Sequence, residues 1–377
     1  MSTPPAPHEI PADVVNLEDY ARHAQARLHP AVWAYLSGGA GDELTLTANQ
    51  QAWQSIKLLP RVLRTLQGGH THTTLLGQSL SHPIMLAPVA SHRLAHPDGE
   101  LGVAYAAAAQ EAGMILSTQA STRLEEVGQA FLHEPGHGPL WMQLYVQHDR
   151  AFTLELVRRA EAAGYQALVI TVDAPTSGAR DRERRAHFQL PAELAQVNLQ
   201  GMATRNTPPR GSDPLFDGLM AHAATWDDIA WLRANTHLPM VLKGVLHADD
   251  ARQAQQLGIQ GLIVSNHGGR TLDTAVSTAW ALPRIADAVG QDLELIVDGG
   301  IRRGTDVLKA LALGARAVLI GRPYVYALAT SGALGVAHVL RLLRDELAIA
   351  MALTGCKTLA DIHPGLLIQD GSGAIGA

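Results

Sequence analysis

The stretch Leu257-Gly258-Ile259-Gln260-Gly261-Leu262-Ile263-Val264-Ser265-Asn266-His267-Gly268-Gly269-Arg270 carries the pattern that decides the fold. It reads as a helix end, a glycine suited to a left-handed cap, a short link, an apolar strand and then an abruptly polar loop. Its first half recurs in Ala163-Gly164-Tyr165-Gln166-Ala167-Leu168 and in Leu313-Gly314-Ala315-Arg316-Ala317-Val318. Three copies of helix, cap, link and strand form a weak internal repeat, of the kind that arrays of βα units produce.

Outward from this stretch the same alternation fills most of the chain. Short apolar runs predict strands over 83–88, 113–117, 140–145, 167–173, 239–243, 261–265, 293–298 and 316–320. Helical periodicity predicts helices over 99–112, from 123, and over 150–163, 226–234 (capped by Thr225), 248–257 and 305–313. Strands alternating with helices imply parallel strands with helical crossovers. Eight such units point to a closed (β/α)8 TIM barrel of the α/β class, although an open doubly wound sheet would alternate too.

Flanking segments complete the expected organisation. Residues 1–13 read as a Pro-rich flexible leader, and 14–370 as one domain with a flexible tail at 371–377. An N-terminal helical segment is expected over 17–36, broken at Ser37-Gly38-Gly39-Ala40-Gly41, with another helix over 45–53. Short extended pieces over 56–80 are expected to close the bottom of the barrel. The stretch 188–222 breaks the rhythm after strand four; rich in Pro, Gly and Asn, it reads as a mobile lid or excursion. A last amphipathic helix is expected over 337–353.

Composition narrows the function. With 377 residues and 47% hydrophobic content the chain can bury a large core. The net charge of -6 and the lack of a Lys/Arg run give no footprint for nucleic acid or an anionic membrane surface. No apolar run reads as long enough to span a bilayer, and no signal core is seen. The lone Cys356 excludes an intramolecular disulfide and fits a cytoplasmic setting. Among 18 histidines, neither His70 and His72 nor His133, His137 and His148 show metal-ligand spacing. No metal site is expected.

A barrel of this type does its chemistry at the C-terminal strand ends. Those ends supply Pro88-Val89-Ala90, Ser117, Gln143 with Tyr145, Thr171 with Asp173, Lys243, Ser265 with His267, Asp298-Gly299-Gly300, and Gly321-Arg322. Such a polar ring suits a flat heteroaromatic ligand. Glycines and arginines after strands seven and eight suit a phosphate, whereas the bland reading of Arg302 and Arg303 is solvated surface charge. Lys243 either snorkels, pairs with a carboxylate or stabilises negative charge on a bound ring. His267 can take a proton, Asp173 can orient it, and Arg270 can grip a carboxylate. The bland reading of the 265–273 loop is that its polar groups merely satisfy the backbone.

With Val264-Ser265-Asn266-His267-Gly268-Gly269-Arg270, Asp298-Gly299-Gly300-Ile301-Arg302-Arg303-Gly304-Thr305-Asp306 and Ile320-Gly321-Arg322-Pro323 in place, the chain resembles the FMN-dependent 2-hydroxy-acid oxidases and dehydrogenases over residues 17–359. That resemblance implies FMN as cofactor, a small 2-hydroxy acid as substrate and the 2-oxo acid as product. It implies cofactor contacts from Val89, Ala90, Ser117, Gln143, Thr171, Lys243 and Ser265 to the ring, and from Asp298, Gly299, Gly300, Arg302, Gly321 and Arg322 to the ribityl phosphate. Tyr35, Arg180 and Arg270 match the carboxylate-binding positions, and Tyr145 one beside the substrate hydroxyl. His267 matches the catalytic base, Asp173 its partner, and Lys243 the lysine beside the ring's N1–O2 edge. Ala90 resembles the oxidases, implying O2 as acceptor and H2O2 as product. The alternatives are a dehydrogenase with another acceptor, and oxidation of a peptide- or carrier-bound hydroxy acid. Gln119, Ser177 and Ala179 depart from the pattern of the plant glycolate oxidases and reshape the pocket entrance. A homotetramer is expected by the same resemblance.

Overall fold

The computed structural model describes residues 9–204 and 212–369. Expectations for residues 1–8, 205–211 and 370–377 lie outside the described residues.

Eight parallel strands close into a barrel: β1 (Ile84–Leu86), β2 (Gly113–Ser117), β3 (Leu140–Leu144), β4 (Leu168–Thr171), β5 (Met240–Val245), β6 (Gly261–Val264), β7 (Glu294–Val297) and β8 (Ala317–Ile320). Each pairs with its sequence neighbour, and β8 returns to β1 through Val318 opposite Ile84. Closure excludes the open-sheet alternative. The strands are apolar on both faces because both are covered. Met85, Ile115, Trp141, Val169, Val241, Ile263 and Ile296 fill the interior, while Ile84, Leu86, Met114 and Leu116 pack in the outer core. The repeat glycines Gly164, Gly258 and Gly314 have φ of 85°, 70° and 106°, the left-handed caps expected from the sequence.

The expected bottom closure is a hairpin, Thr73–Leu75 with Gln78–Leu80, turning at Leu76-Gly77. Leu75 and Leu80 plug the barrel interior. Trp141 Nε1 donates to Gln78 Oε1 (3.0 Å), and Leu76 N donates to Glu294 Oε2 (2.7 Å).

Several boundaries depart from expectation. The segment expected as one helix over 17–36 is two, α1 (Leu17–Arg27) and α2 (Pro30–Ser37). Pro30 has no N–H to continue α1 and suits the first turn of α2. The helix expected over 45–53 is α3 (Leu44–Ser55). A helix over Thr278–Val289, unread in the sequence, carries Pro283 within it. A short helix over Asp181–Arg185 was also unread. The final helix starts at Arg322, not at 337, and reaches Thr354 with a break at Ser331 and Gly332. By length and composition alone this run is apolar enough to cross a membrane, contrary to the sequence reading; two thirds of its most apolar window (67%) is buried within the fold, as in a core helix.

The described part of the 188–222 excursion forms short turns, at Ala192–Leu194, Val197–Leu199, Pro214–Leu219 and Met220–His222. Its first half is tied down: the buried Asn198 accepts from Leu124 N (2.9 Å) and donates to Thr122 O (3.1 Å).

Candidate active site

A cavity of about 500 Å³ opens at the C-terminal end of the barrel. Every residue singled out from the sequence for cofactor, substrate or acid–base work lines it except Asp173 and Ser265. Those two touch it through partners, Asp173 through His267 and Ser265 through Lys243.

Strand register builds the first wall. Ser117 pairs with Gln143 across β2 and β3, and Thr171 with Lys243 across β4 and β5. Neighbouring strand ends place these side chains within reach. Ser117 Oγ donates to Gln143 Oε1 (3.2 Å), and Gln143 Nε2 donates to Thr171 Oγ1 (3.0 Å). The amide of Gln143 is thereby fixed in orientation.

Lys243 closes the next strand. A register irregularity at Gly244 lies between it and Val245. Gly244 has φ 109°, and a Cβ there would sit 2.4 Å from the Asp173 side chain. Glycine therefore lets β5 bend and lets Asp173 approach. Lys243 Nζ donates to Ser265 Oγ (2.9 Å) and lies 3.2 Å from Asp298 Oδ2. Burial works against its charge, but Asp298 and Asp173 together hold its pKa above the ordinary lysine value. Of the readings open from sequence, carboxylate pairing is observed.

The His267 loop follows β6. His267, Gly268 and Gly269 take φ of 56°, 62° and 73° in succession. For histidine this is a sparsely populated conformation, sustained only by its surroundings. Gly269 N donates to Asn266 O (2.9 Å) and lies 3.2 Å from Asn266 Oδ1, and His267 N donates to Ser265 Oγ (3.1 Å). His267 Nδ1 lies 2.9 Å from Asp173 Oδ1. Burial tends to raise the Asp173 pKa, but His267 and Lys243 hold it below the ordinary value. Burial pushes His267 below the ordinary imidazole value, only partly offset by Asp173 and reinforced by Lys243 and Arg270. The ionised carboxylate accepts from Nδ1–H, leaving Nε2 as a free lone pair able to take a proton.

Arginines form the other wall. Arg270 donates to Tyr35 O (2.8 Å) and Gly38 O (2.9 Å), and its guanidinium lies 5.2 Å from the Tyr35 ring centroid. Arg322 donates to Gly268 O (2.9 Å) and to the same Gly38 O (2.8 Å). The C-terminal end of α2 thus presents its last carbonyls to two cations, the favourable pole of a helix for positive charge. Desolvation, with Arg270 and Arg302 nearby, brings Arg322 down to about 10, and its Nε has no partner. Arg270 and Arg302 are also depressed, first by desolvation. Arg302 donates to Ile301 O (2.9 Å), and the carboxylate of Glu18 lies 3.9 Å away. Arg180 donates to Arg270 O (3.4 Å) and pairs with Glu183 (3.3 Å). Arg303, by contrast, pairs outward with Glu346 (2.7 Å), as its bland reading required. Asp273 also serves structure, accepting from Asp42 N and Thr45 N at 2.9 Å each.

Sequence reasoning missed three contributors. Phe188, after the short helix, stacks on Tyr35 with centroids 4.4 Å apart and planes 13° apart. Leu219, His222 and Ala223 bring the excursion to the cavity's edge. Asn49 joins Asn266 beneath the catalytic loop. Only the last left a signal, a polar residue on the stripe Thr45, Asn49 and Trp53 that α3 buries.

The sequence model described as "FMN-dependent dehydrogenase" matches residues 24–369. An L-lactate oxidase of Alicycliphilus denitrificans is 47% identical over 94% of this chain and 96% of its own. The human 2-hydroxyacid oxidase 1 is 42% identical, again over 94% of this chain and 96% of its own. A crystal structure of mandelate oxidase with (S)-2-phenylpropionate superposes with a TM-score of 0.84 at 41% identity, covering 94% of this chain and 98% of that one. Strand-end chemistry, barrel closure and similarity along nearly the whole length agree: the chain belongs to the FMN-dependent dehydrogenase family.

Proposed function

We propose that this protein oxidises a small 2-hydroxy acid to the 2-oxo acid using FMN, with O2 as electron acceptor and H2O2 as the second product. The observation that carries this reading is the His267–Asp173 pair facing, across one cavity, the guanidiniums of Arg270, Arg302 and Arg322, none of them closely paired with a carboxylate among the described residues.

The residues present fit FMN. Among the described residues no carboxylate pairs closely with Arg322 or Arg270, Arg302 is 3.9 Å from its nearest, and Arg322 Nε is left without a partner. Cations gathered in this way are costly unless an anion joins them. Gly299 and Gly300, with φ of 90° and 86°, line the same cavity as Arg302 and Arg322. Arg302, Arg322 and the Gly299-Gly300 turn would hold the phosphate; the Gln143 amide, Thr171, Ser117 and the Val89-Ala90 backbone would face the ring. Lys243 would set a positive charge beside it. FMN, when bound, takes up the substrate's two electrons.

The remaining work falls to side chains. Arg270 and Arg180, with Tyr35, hold the substrate carboxylate and orient its carbinol carbon toward His267. Tyr145 stands near the hydroxyl. His267 Nε2 takes a proton from the carbinol group, and Asp173 stabilises the imidazolium that results. We also propose a cytoplasmic homotetramer. The single buried cysteine, Cys356, supports the first part and the family resemblance the second; light scattering on the purified protein tests the assembly.

The function is tested by mixing the protein anaerobically with a panel of 2-hydroxy acids. Bleaching of the flavin by at least one of them, with colour returning in air, is the expected result. No bleaching by any would overturn the reading and favour a carrier-bound substrate.

A further inference from the structure

The buried face of α3 is polar, and each residue on it reaches a different loop of the site. Thr45, Asn49 and Trp53 are spaced one turn apart and are 1%, 1% and 0% exposed. Thr45 Oγ1 donates to Ala275 O (3.3 Å) beyond the His267 loop. Trp53 Nε1 donates to Gly299 O (2.8 Å). Asn49 sits between them and touches both sides.

Asn49 and Asn266 exchange two amide hydrogen bonds, each 2.8 Å. Asn266 precedes His267, and its Oδ1 also lies 3.2 Å from Gly269 N, across the left-handed turn. Asn49 Oδ1 further accepts from Thr278 N (3.3 Å), and Thr278 Oγ1 donates to Asp298 O (2.6 Å). On the other side, a Cβ on Gly300 would lie 2.4 Å from the Asn49 backbone carbonyl, and one on Gly299 would lie 3.2 Å from Asn49 Nδ2. One buried amide therefore connects the turn that carries the base with the glycine turn that faces the arginines. Asn49 itself does not line the cavity.

We propose that Asn49 is a positioning residue that keeps the His267 turn and the Gly299-Gly300 turn in mutual register, so that base geometry and cofactor affinity depend on the same side chain. This rests on the functional reading above. His267 holds a left-handed backbone conformation (φ 56°), and the turn that imposes it is fastened through Asn266 to α3. Without the Asn49 side chain, Asn266 keeps only Gly269 N and Val276 O (3.0 Å), and Thr278, whose hydroxyl holds the Asp298 and Gly299 carbonyls, has an unmatched N–H in the interior.

The test is Asn49→Ala, with Asn49→Ser as the milder variant should the first prove insoluble. Three quantities are read: FMN affinity by titration of apoprotein, the anaerobic flavin-reduction rate at saturating FMN and substrate, and the pH midpoint of that rate. The expected result is FMN affinity weakened and reduction slowed, each roughly 10- to 100-fold in Asn49→Ala, with Asn49→Ser between it and the wild type. The acid midpoint shifts from the wild-type position, because a loosened His267 changes both its burial, which lowers its pKa, and its contact with Asp173, which raises it. A lowered melting temperature with FMN affinity and reduction rate within about twofold of the wild type would overturn the proposal and leave Asn49 a packing residue only. If wild-type flavin is bleached by no 2-hydroxy acid, the functional reading fails on its own, while FMN affinity still reports on the glycine turn.

Discussion

His267 and Asp173 meet at 2.9 Å although they stand 94 residues apart, at the ends of β6 and β4. β5 lies between those strands, and its Gly244 leaves the space in which the carboxylate sits. The pair is a consequence of barrel closure and of one missing side chain. It orients the base and partly offsets the desolvation that keeps His267 neutral, and the first prediction follows from it.

Desolvation holds His267 below the ordinary imidazole value of about 6.5. A base must be unprotonated, so activity is lost as pH falls through the His267 pKa. Accordingly kcat/KM rises with pH to a midpoint below about 6.5 and is level at neutral pH. Asp173→Asn removes the neighbour that raises this pKa, so the midpoint moves further down. The same change slows flavin reduction by on the order of 10²–10⁴-fold, through loss of tautomer control and imidazolium stabilisation. A pH–rate profile of both proteins checks direction and size together.

Lys243 and Asp298 are almost fully buried, with side chains 6% and 10% exposed and 3.2 Å apart. Breaking one side of such a pair leaves an uncompensated charge. Lys243→Met should destabilise the FMN-free protein by about 3–5 kcal/mol. The double variant Lys243→Met with Asp298→Asn should recover much of the loss. Urea unfolding of the three apoproteins is the measurement.

Phe188 packs flat against Tyr35, and the adjoining Arg182 is bonded to Ser37 (3.1 Å) and to Glu43. The short helix that follows Arg180 is in this way attached to α2 and the residues after it. Phe188→Ala should loosen Tyr35 and Arg180 without touching the base. An aromatic pair contributes about 0.5–1.5 kcal/mol beyond its area. Steady-state kinetics should show KM for the hydroxy acid raised by roughly that factor, about two- to tenfold, with kcat nearly unchanged.

The arginines around Gly38 and Gly268 repel one another until an anion arrives. Inorganic phosphate should therefore raise the melting temperature of the apoprotein, as any ligand of the native state does. Arg322→Ala should abolish that rise and weaken FMN binding. A melting series over phosphate concentration, at fixed ionic strength, separates specific binding from screening.

Fold and site were legible in the sequence to different depths. The barrel could be read because both faces of each strand are apolar and because Gly164, Gly258 and Gly314 mark the same point in three units. The ring of strand-end residues followed from that placement. What stayed hidden depended on contacts between distant segments. Pro283 masked a helix whose packing overrides the proline, and the break at Ser331 and Gly332 concealed that the last helix begins at Arg322. Nothing in the residues after Arg180 announces that Phe188 turns back onto Tyr35. Asn49 left only the clue of a polar residue on a buried helical stripe.

The most direct test of the central claim is the anaerobic reduction rate of His267→Ala loaded with FMN, measured with whichever 2-hydroxy acid reduces the wild type fastest. The expected result is FMN still bound, with Lys243 and the arginine wall in place, and reduction slower by on the order of 10²–10⁴-fold. Reduction at the wild-type rate would contradict it, and would show that the proton leaves to some group other than His267.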